Sequence, residues 1–362
     1  MTPYRVAIIG TGNIAGGHVR ALKEMGRRVQ VVAAMDVEPG RVEAFCAEHR
    51  IPRSYADLTA LLAAEQPDLV HIATPPATHA DLAIRCLQAG ARVWCEKPLC
   101  GSLAALDRIE AAERATGRYC SSVAQWRFGS AAQHLKGLMR EQAMGRLLVG
   151  ICQTTWYRDV AYYQVPWRGT WQNELGSTTL GHGIHAMDLF LWLCGDWSEV
   201  AAMTATLDRP IEVDDVSMAT VRFDNGALGS IVNSALSPRQ HTYLRFDLQK
   251  ATVEVSGLYG YSNKDWRYSV PDDADGSALS RWQDIPADVP SSHTAQLAAL
   301  LDTMDRDEPP PVGTPEVRRT IEFITCLYKA AAAGQTVRRG SIGPDDPFYR
   351  HVAGHTPQGS PV

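Results

Sequence analysis

The stretch YRVAIIGTGNIAGGH, residues 4–18, decides the fold. It begins with an apolar, β-branched run, passes through a glycine-rich turn and continues with helical spacing from Ile14 to Met25. Gly10, Gly12 and Ala15 satisfy the pattern G-x-G-x-x-A at the junction. A strand, such a turn and a helix in succession predict the first unit of a dinucleotide-binding βαβ fold.

The residues of this turn have distinct physical tasks. Gly10 permits the tight turn, and Gly12 lets the backbone approach a pyrophosphate closely. Asn13 and Ile14 stand where the helix begins, and a helix N-terminus attracts phosphate. We therefore predict that Gly10, Gly12, Asn13 and Ile14 bind the dinucleotide.

The second predicted strand ends in AAMD, which places Asp36 24 residues after Gly12. A carboxylate at this distance would accept hydrogen bonds from the adenosine ribose and repel a 2′-phosphate. Asp36 therefore favours NAD over NADP, although Arg41 lies near enough to weaken that preference. The alternative is that Asp36 only caps the helix that follows.

Short β-rich runs alternate with helical segments up to residue 124, which predicts a doubly wound parallel sheet of the α/β class. We assign residues 1–124 to an NAD-binding Rossmann domain. The predicted strands are 4–10, 29–36, 68–75, 92–98 and 119–124. The predicted helices are 14–25, 41–48, 58–64, 79–89 and 103–115.

Residues 125–342 have a different pattern, with long alternating runs and a DNG hairpin signal at 224–226. They predict an α+β domain with an open, mostly antiparallel sheet, which would bind substrate and form oligomer contacts. Its predicted helices are 131–142, 177–193, 293–306 and 314–333. Residues 343–362 form a tail rich in proline and glycine.

The composition excludes several classes of function. A formal net charge of −5 provides no broad positive field for a nucleic acid backbone. No segment resembles a secretory leader or a membrane span, and the eight cysteines form no CxxC pair. We therefore predict a cytoplasmic protein without nucleic acid or membrane partners.

Two further segments follow predicted strands at the crevice where a nicotinamide should lie. The first, ATPPATH, contains Thr74, Pro75 and His79, and the second, CEKPL, contains Glu96 and Lys97. We predict that all five residues contribute to the cofactor site. A lysine in this crevice can hydrogen-bond a substrate hydroxyl, although a surface lysine after a strand is the simpler alternative.

Nearly the whole chain resembles the Gfo/Idh/MocA oxidoreductases, the family of glucose-fructose oxidoreductase and the inositol dehydrogenases. The matching segments are GTGNIA (10–15), ATPPATH (73–79), EKP (96–98), QWRF (125–128), GIHAMDLFLWLCG (183–195) and VDDVSMATVRFDNGALGSI (213–231). The resemblance implies oxidation of a secondary alcohol of a sugar, polyol or related compound by NAD(P). It also implies a homodimer or homotetramer built through the open sheet.

By resemblance, Lys97 and His185 flank the reacting carbon. Lys97 would bind and polarise the alcohol, and His185, Lys97 or a relay between them would take its proton. Asp188 would support the helix. Many family members carry an aspartate four residues before this histidine, and here that position is Gly181. We expect the glycine to make room for a larger substrate group, with His182 at the pocket wall or simply packed beside it.

The loop at 155–177 is rich in tryptophan, tyrosine and arginine, which suits a carbohydrate pocket. We predict that Tyr157, Trp167 and Arg168 contact the substrate, with Arg168 able to pair with the carboxylate of a sugar acid. The alternative is a stretch of sheet covered by aromatic side chains.

The spacing of His182 and His185 raises the question of a metal. Catalytic zinc takes three protein ligands, and no cysteine is near in sequence, so we predict no metal site. Two other functions remain open: a glycosidase that uses tightly held NAD, and a dinucleotide-binding regulator without catalysis. The presence of both Lys97 and His185 argues against the regulator.

Overall fold

The computed structural model describes residues 2–272 and 276–355. It divides into two compact units, of which the first comprises Met1–Val123 and Gln296–Arg319. The second comprises Ala124–Ala295 and Thr320–Val362. No helix within the described ranges is long and apolar enough to cross a membrane.

The first unit contains a parallel sheet of six strands in the order β3-β2-β1-β4-β5-β6. The strands are β1 Tyr4–Ile9, β2 Val29–Met35, β3 Ser54–Tyr55, β4 Leu69–Ile72, β5 Arg92–Cys95 and β6 Cys120–Ser122. The order reverses between β1 and β4, and a ligand crevice opens at such a reversal. The predicted doubly wound sheet is confirmed, and β3 is the one strand of this sheet that the sequence patterns did not indicate.

Five helices connect these strands: α1 Ala15–Glu24, α2 Pro39–His49, α3 Leu58–Glu65, α4 His79–Gln88 and α5 Leu103–Thr116. The core also includes residues from much later in the chain. Leu297, Leu300, Leu301 and Met304 pack in the same cluster as Val6 and Leu22. We expected the segment 296–319 in the second domain. Its periodicity shows an apolar helix face but does not show which sheet that face covers.

The second unit contains an eight-stranded sheet in the order β13-β12-β11-β7-β10-β9-β8-β14. All its pairs are antiparallel except β7 with β10, so the predicted mostly antiparallel sheet is confirmed. The strands are β7 Leu147–Tyr157, β8 Trp197–Ala205, β9 Val216–Phe223, β10 Leu228–Ser234, β11 Leu236–Leu248, β12 Thr252–Gly257, β13 Trp266–Ser269 and β14 Val337–Arg338. The DNG segment joins β9 to β10 as a hairpin, with Gly226 at φ 86°.

The later helices are α6 Ser130–Arg140, α7 Ile184–Cys194, α8 Gly276–Gln283, α9 His293–Asp305, α10 Thr314–Ala333 and α11 Pro347–Arg350. The predicted helix 177–193 is in fact two segments, because a π-helix at Thr178–Gly183 precedes α7. The predicted tail includes α11, and its residues 356–362 lie outside the described part of the chain.

Helix α7 carries the candidate histidine and is fixed by a buried ion pair. Two nitrogens of Arg127 donate to the two oxygens of Asp188, both at 2.7 Å, and Thr320 donates to Asp188 at 3.0 Å. Phe190, on the same helix, packs against Gly150 of β7, where a Cβ would lie only 2.6 Å from its ring. The helix therefore lies directly on the sheet.

Removal of Asp188 tests how firmly the helix is held. We expect Asp188→Ala to lower the free energy of unfolding by about 3–5 kcal/mol, because the Arg127 guanidinium stays buried without its carboxylate. The double variant Arg127→Met/Asp188→Leu should recover most of this loss. Urea denaturation measures both changes, and a loss below about 1 kcal/mol in Asp188→Ala would show that the pair is not a main support of α7.

Candidate active site

The glycine turn after β1 forms an open cradle. Gly10 has φ 86°, and a Cβ there would lie 2.7 Å from the carbonyl oxygen of Ala73. A Cβ on Gly12 would meet no atom within 4 Å, and Gly12, Asn13 and Ile14 are exposed at the start of α1. This shape fits a pyrophosphate approaching the helix N-terminus, since the backbone N–H groups there are accessible.

Asp36 follows β2 and is held by four hydrogen bonds. Its Oδ2 accepts the N–H and the hydroxyl of Thr11 at 2.9 and 2.8 Å. Its Oδ1 accepts the N–H of Glu38 at 3.1 Å and Nη2 of Arg41 at 2.8 Å. Burial alone would raise the pKa of Asp36, but these bonds outweigh burial and lower it. The carboxylate is therefore charged and fixed. Its partner Thr11 is not indicated by the sequence pattern.

His79, predicted to contribute to the cofactor site, links two loops at the edge of the sheet. It is fully buried, and its two ring nitrogens lie 2.8 Å from the carbonyl oxygens of Pro98 and Thr74. Burial lowers the pKa of this imidazole. His79 therefore joins the loop after β4 to the loop after β5 and positions Thr74 and Pro75.

Glu96 and Lys97 follow β5 at the crevice. The Glu96 carboxylate accepts the N–H of Lys97 at 3.2 Å, and its other oxygen lies 3.1 Å from Nε2 of His18. Nδ1 of His18 lies 3.2 Å from Nδ1 of His71. The Glu96 carboxylate therefore contacts one member of a buried pair of histidines. Glu96 is thus placed to fix the Lys97 backbone, and the half-buried Lys97 begins the loop with a cis peptide bond to Pro98.

In the second unit, the π-helix is anchored by a buried carboxylate. Asp214 accepts the N–H of Thr179 at 2.9 Å, its hydroxyl at 2.7 Å and the Tyr328 hydroxyl at 2.6 Å. Burial raises the pKa of Asp214. At the other end, Gly183 lies so close to Asn233 of β10 that a side chain has no room. His182 and His185 therefore project from a segment fixed at both ends.

His182 is buried among aromatic side chains, whereas His185 is half-buried. Nε2 of His182 lies 2.9 Å from the Tyr162 hydroxyl, and its ring centroid lies 5.4 Å from that of Trp156. Tyr162 was not singled out from the sequence. The sequence feature that could have indicated Tyr162 is its place in the aromatic-rich loop 155–177.

Gly181, the position at which the family resemblance led us to expect an aspartate, has a carboxylate beside it. A Cβ at this position would lie 3.8 Å from Oε1 of the buried Glu174 and 3.4 Å from the carbonyl oxygen of Gly176. Glu174 was not identified from the sequence, because its approach to Gly181 depends on how the loop folds back.

The three loop residues predicted to contact substrate differ in their surroundings. Tyr157 is 42% exposed and lies beneath the guanidinium of Arg209. Arg168 stacks on Trp167 at 4.4 Å and on Tyr162 at 3.8 Å, and its Nη1 lies 3.6 Å from Glu174. Burial lowers the pKa of Arg168. The charge of Arg168 is thus already compensated by a protein carboxylate.

A Rossmann strand order, an open glycine cradle and a charged Asp36 define a dinucleotide-dependent enzyme. The chain belongs to the Gfo/Idh/MocA family of oxidoreductases. Residues 4–123 match the family domain described as "Oxidoreductase family, NAD-binding Rossmann fold", and residues 132–261 match the "GFO/IDH/MocA C-terminal domain". The predictions of an oxidoreductase and of NAD as cofactor are confirmed.

Relatives of known activity share nearly the full length. D-apiose dehydrogenase of Paraburkholderia graminis is 26% identical over 95% of this chain and 92% of its own length. The WlbA dehydrogenase of Chromobacterium violaceum, solved with NADH and UDP-GlcNAcA, has a TM-score of 0.83 and 28% identity over 95% of this chain and 97% of its own. WlbA of Bordetella pertussis has a TM-score of 0.84 and 26% identity over 95% and 100%.

The cofactor preference depends on Asp36. We expect Asp36→Ala to lower the ratio of kcat/KM with NAD to kcat/KM with NADP by about tenfold or more, since a charged hydrogen bond to ribose is lost and the 2′-phosphate is no longer repelled. Steady-state kinetics with both cofactors measure the ratio. Glu38→Ala removes a neighbouring exposed carboxylate as the control, and an unchanged ratio in Asp36→Ala would refute the assignment.

Proposed function

We propose that this chain is an NAD-dependent dehydrogenase that moves hydride between a secondary alcohol of a sugar, sugar acid or polyol and nicotinamide. The observation that carries the proposal is Lys97, which follows β5 in the unit that also holds the glycine cradle and Asp36. An ammonium group at this edge of a doubly wound sheet is suited to bind an alcohol beside the nicotinamide.

The substrate class is supported by the relatives and by the second unit. D-apiose, inositol and levoglucosan dehydrogenases are among the similar proteins, and both WlbA structures contain UDP-GlcNAcA. In the loop before His182, the second unit places the partly exposed Tyr157, Tyr162 and Trp167, and aromatic faces of this kind stack on sugar C–H surfaces. A carbohydrate-like small molecule is the substrate that fits both observations.

The proposed chemistry assigns separate tasks to the site residues. Gly10, Gly12, Asn13, Ile14 and Asp36 would hold the dinucleotide, whose nicotinamide C4 accepts the hydride when it is bound. Thr74 and Pro75, with Glu96 behind the lysine, would shape the nicotinamide end of the site.

Lys97 would donate a hydrogen bond to the alcohol oxygen and stabilise negative charge on it. His185, Lys97 or a relay between them would accept the hydroxyl proton, and His185 is half-buried and not enclosed in the core. Tyr157 and Trp167 would complete the substrate surface, and the buried His182 would support it from behind Tyr162.

Lys97→Ala tests the assignment of the lysine. We expect kcat/KM for the best carbohydrate substrate to fall by about a hundredfold or more, because the alcohol loses its polarising group. The dissociation constant of NAD should stay within about threefold of the wild-type value, since the adenosine and pyrophosphate contacts are intact. NADH absorbance and fluorescence titration measure the two quantities, with the exposed Lys23→Ala as control.

Two outcomes would contradict parts of the proposal. Normal turnover by Lys97→Ala would remove the lysine from the mechanism. Substrate consumption by the wild type without net NADH, with cofactor retained on the protein, would instead identify the redox glycosidase.

We further propose that a second copy of the chain covers the outer face of the eight-stranded sheet. Met203 and Met218 lie opposite each other on β8 and β9, 80% and 54% exposed, and Met218 faces Val232 of β10. Leu228 and Val149, 50% and 43% exposed, extend the apolar surface across β10 and β7. Contiguous exposed apolar surface on a sheet is typical of an oligomer interface.

A charge in this surface tests the oligomer. Met218→Glu should convert the wild-type dimer or tetramer into smaller species, because burying an unpaired carboxylate at an interface is unfavourable. Light scattering after size exclusion measures the mass. Val289→Glu, at an apolar side chain 43% exposed outside the sheet, is the control that should leave the mass unchanged. A wild-type monomer would refute the proposal.

We also propose a cytoplasmic location, supported by the cysteines. All eight are free and buried, and burial raises the pKa of Cys86 and Cys100 to about 12. Such thiols are unreactive and agree with a reducing compartment.

A further inference from the structure

We propose that Arg158 binds an anionic group of the substrate, the carboxylate of a sugar acid or the phosphate of a sugar phosphate ester. The inference rests on the proposed function, because it concerns the substrate of the same site. It assigns the oxyanion to a residue that was not predicted from the sequence, whereas Arg168 was the predicted carboxylate partner.

The contacts of Arg158 are with neutral groups. Nη1 donates to the carbonyl oxygen of Tyr157 at 2.9 Å and to Oε1 of Gln240 at 3.3 Å, and Nη2 donates to the Tyr259 hydroxyl at 3.5 Å. Nε is buried and has no acceptor among the residues that the structure describes. Within the same described ranges, no carboxylate oxygen lies within 4 Å of this guanidinium.

Aromatic rings surround the same guanidinium. Its Cζ lies 4.9 Å from the ring centroid of Trp156, 5.1 Å from that of Tyr162 and 6.0 Å from that of Tyr259. Cation–π contacts of this kind stabilise the charge, but they supply no anionic partner for it. Arginine stays protonated in proteins, so this guanidinium carries a positive charge that no neighbouring carboxylate among the described residues compensates.

The two arginines that contact Tyr162 differ in charge compensation. Arg168 has Glu174 at 3.6 Å, and the other Glu174 oxygen accepts the N–H of Gly169 at 2.6 Å. A substrate carboxylate at Arg168 would therefore meet a buried protein carboxylate and be repelled. Arg158 has no such competitor, so it is the better partner for an anion.

The carboxylates closest in sequence to this region are already engaged. Asp159 accepts the backbone N–H of Tyr162 at 2.9 Å, and Asp208 pairs with Arg209. Both oxygens of Asp215 accept backbone N–H groups of the 207–209 segment. The positive charge of Arg158 thus remains available to a ligand.

One layer of aromatic side chains separates Arg158 from the candidate substrate residue His182. Trp156 and Tyr162 contact both, since each ring centroid lies within 5.6 Å of the His182 ring and within 5.1 Å of the guanidinium. A sugar bound against the partly exposed Tyr162 would extend from the histidine segment toward Arg158. Its anionic group would then lie away from the carbon that is oxidised.

The test compares three related sugars on the full-length protein in the presence of NAD. The probes are glucose, glucuronate and glucose 1-phosphate, and isothermal titration calorimetry measures each dissociation constant. We expect wild-type protein to bind at least one anionic sugar about tenfold or more tighter than glucose. The two anionic probes distinguish a carboxylate from a phosphate ester.

Variants of Arg158 show whether this residue causes the preference. Arg158→Ala should remove the preference and leave the affinity for glucose within about twofold, whereas Arg158→Lys should keep part of it because the charge remains. Arg267→Ala, at an exposed arginine on β13, is the matched control. Thermal melting of each variant checks that it is folded.

Three outcomes would overturn the inference: no preference for either anionic sugar, no binding of either at millimolar concentration, or equal weakening of neutral and anionic sugars by Arg158→Ala. NADH formation in the same solutions is a separate measurement. Anion preference without NADH from any carbohydrate would refute the dehydrogenase and keep the Arg158 site. NADH formation together with unchanged sugar binding in Arg158→Ala would refute the Arg158 site and keep the dehydrogenase.

Discussion

The close packing of Gly10 against the end of β4 is the constraint on which the first unit depends. A Cβ at this position would lie 2.7 Å from the carbonyl oxygen of Ala73, in a backbone conformation that favours glycine. The turn can therefore pass over the neighbouring strand at the point where the strand order reverses. With this geometry the N-terminus of α1 is exposed, and Thr11 donates a hydrogen bond to Asp36. The loops after β4 and β5 lie at the same edge of the sheet.

In the second unit, some buried charged side chains are paired within the protein, whereas Arg158 has no carboxylate partner among the described residues and can bind a ligand. Asp188 and Asp214 are used within the protein, where they fix α7 and the π-helix. Glu174 compensates Arg168 in the same way. The aromatic-lined Arg158, in the segment before the π-helix, is a group whose surroundings suit a ligand. His185, in the helix that follows the π-helix, is half-buried. The expected substrate is therefore a carbohydrate with an anionic group at one end.

Local patterns in the sequence were sufficient for much of the fold. Strand β1, the glycine turn and α1 are encoded in consecutive residues, and α10 has the predicted bounds Thr314–Ala333. Features that depend on residues far apart in sequence were not predictable. The core position of Leu297 depends on which sheet α9 covers, and the π-helix is anchored by Asp214, 35 residues from Thr179. The contact of His79 with the Pro98 carbonyl depends on a loop 19 residues away. Arg158 was missed for the same reason, because Tyr259 comes from another strand region.

The most direct test of the dehydrogenase is the absorbance of NADH with wild-type protein, excess NAD and a panel of sugars, polyols, sugar acids and sugar phosphates. The proposed function predicts NADH in large molar excess over protein with at least one carbohydrate and stronger formation with anionic members. No NADH from any member of the panel, with NAD binding demonstrated in the same solutions, would contradict it.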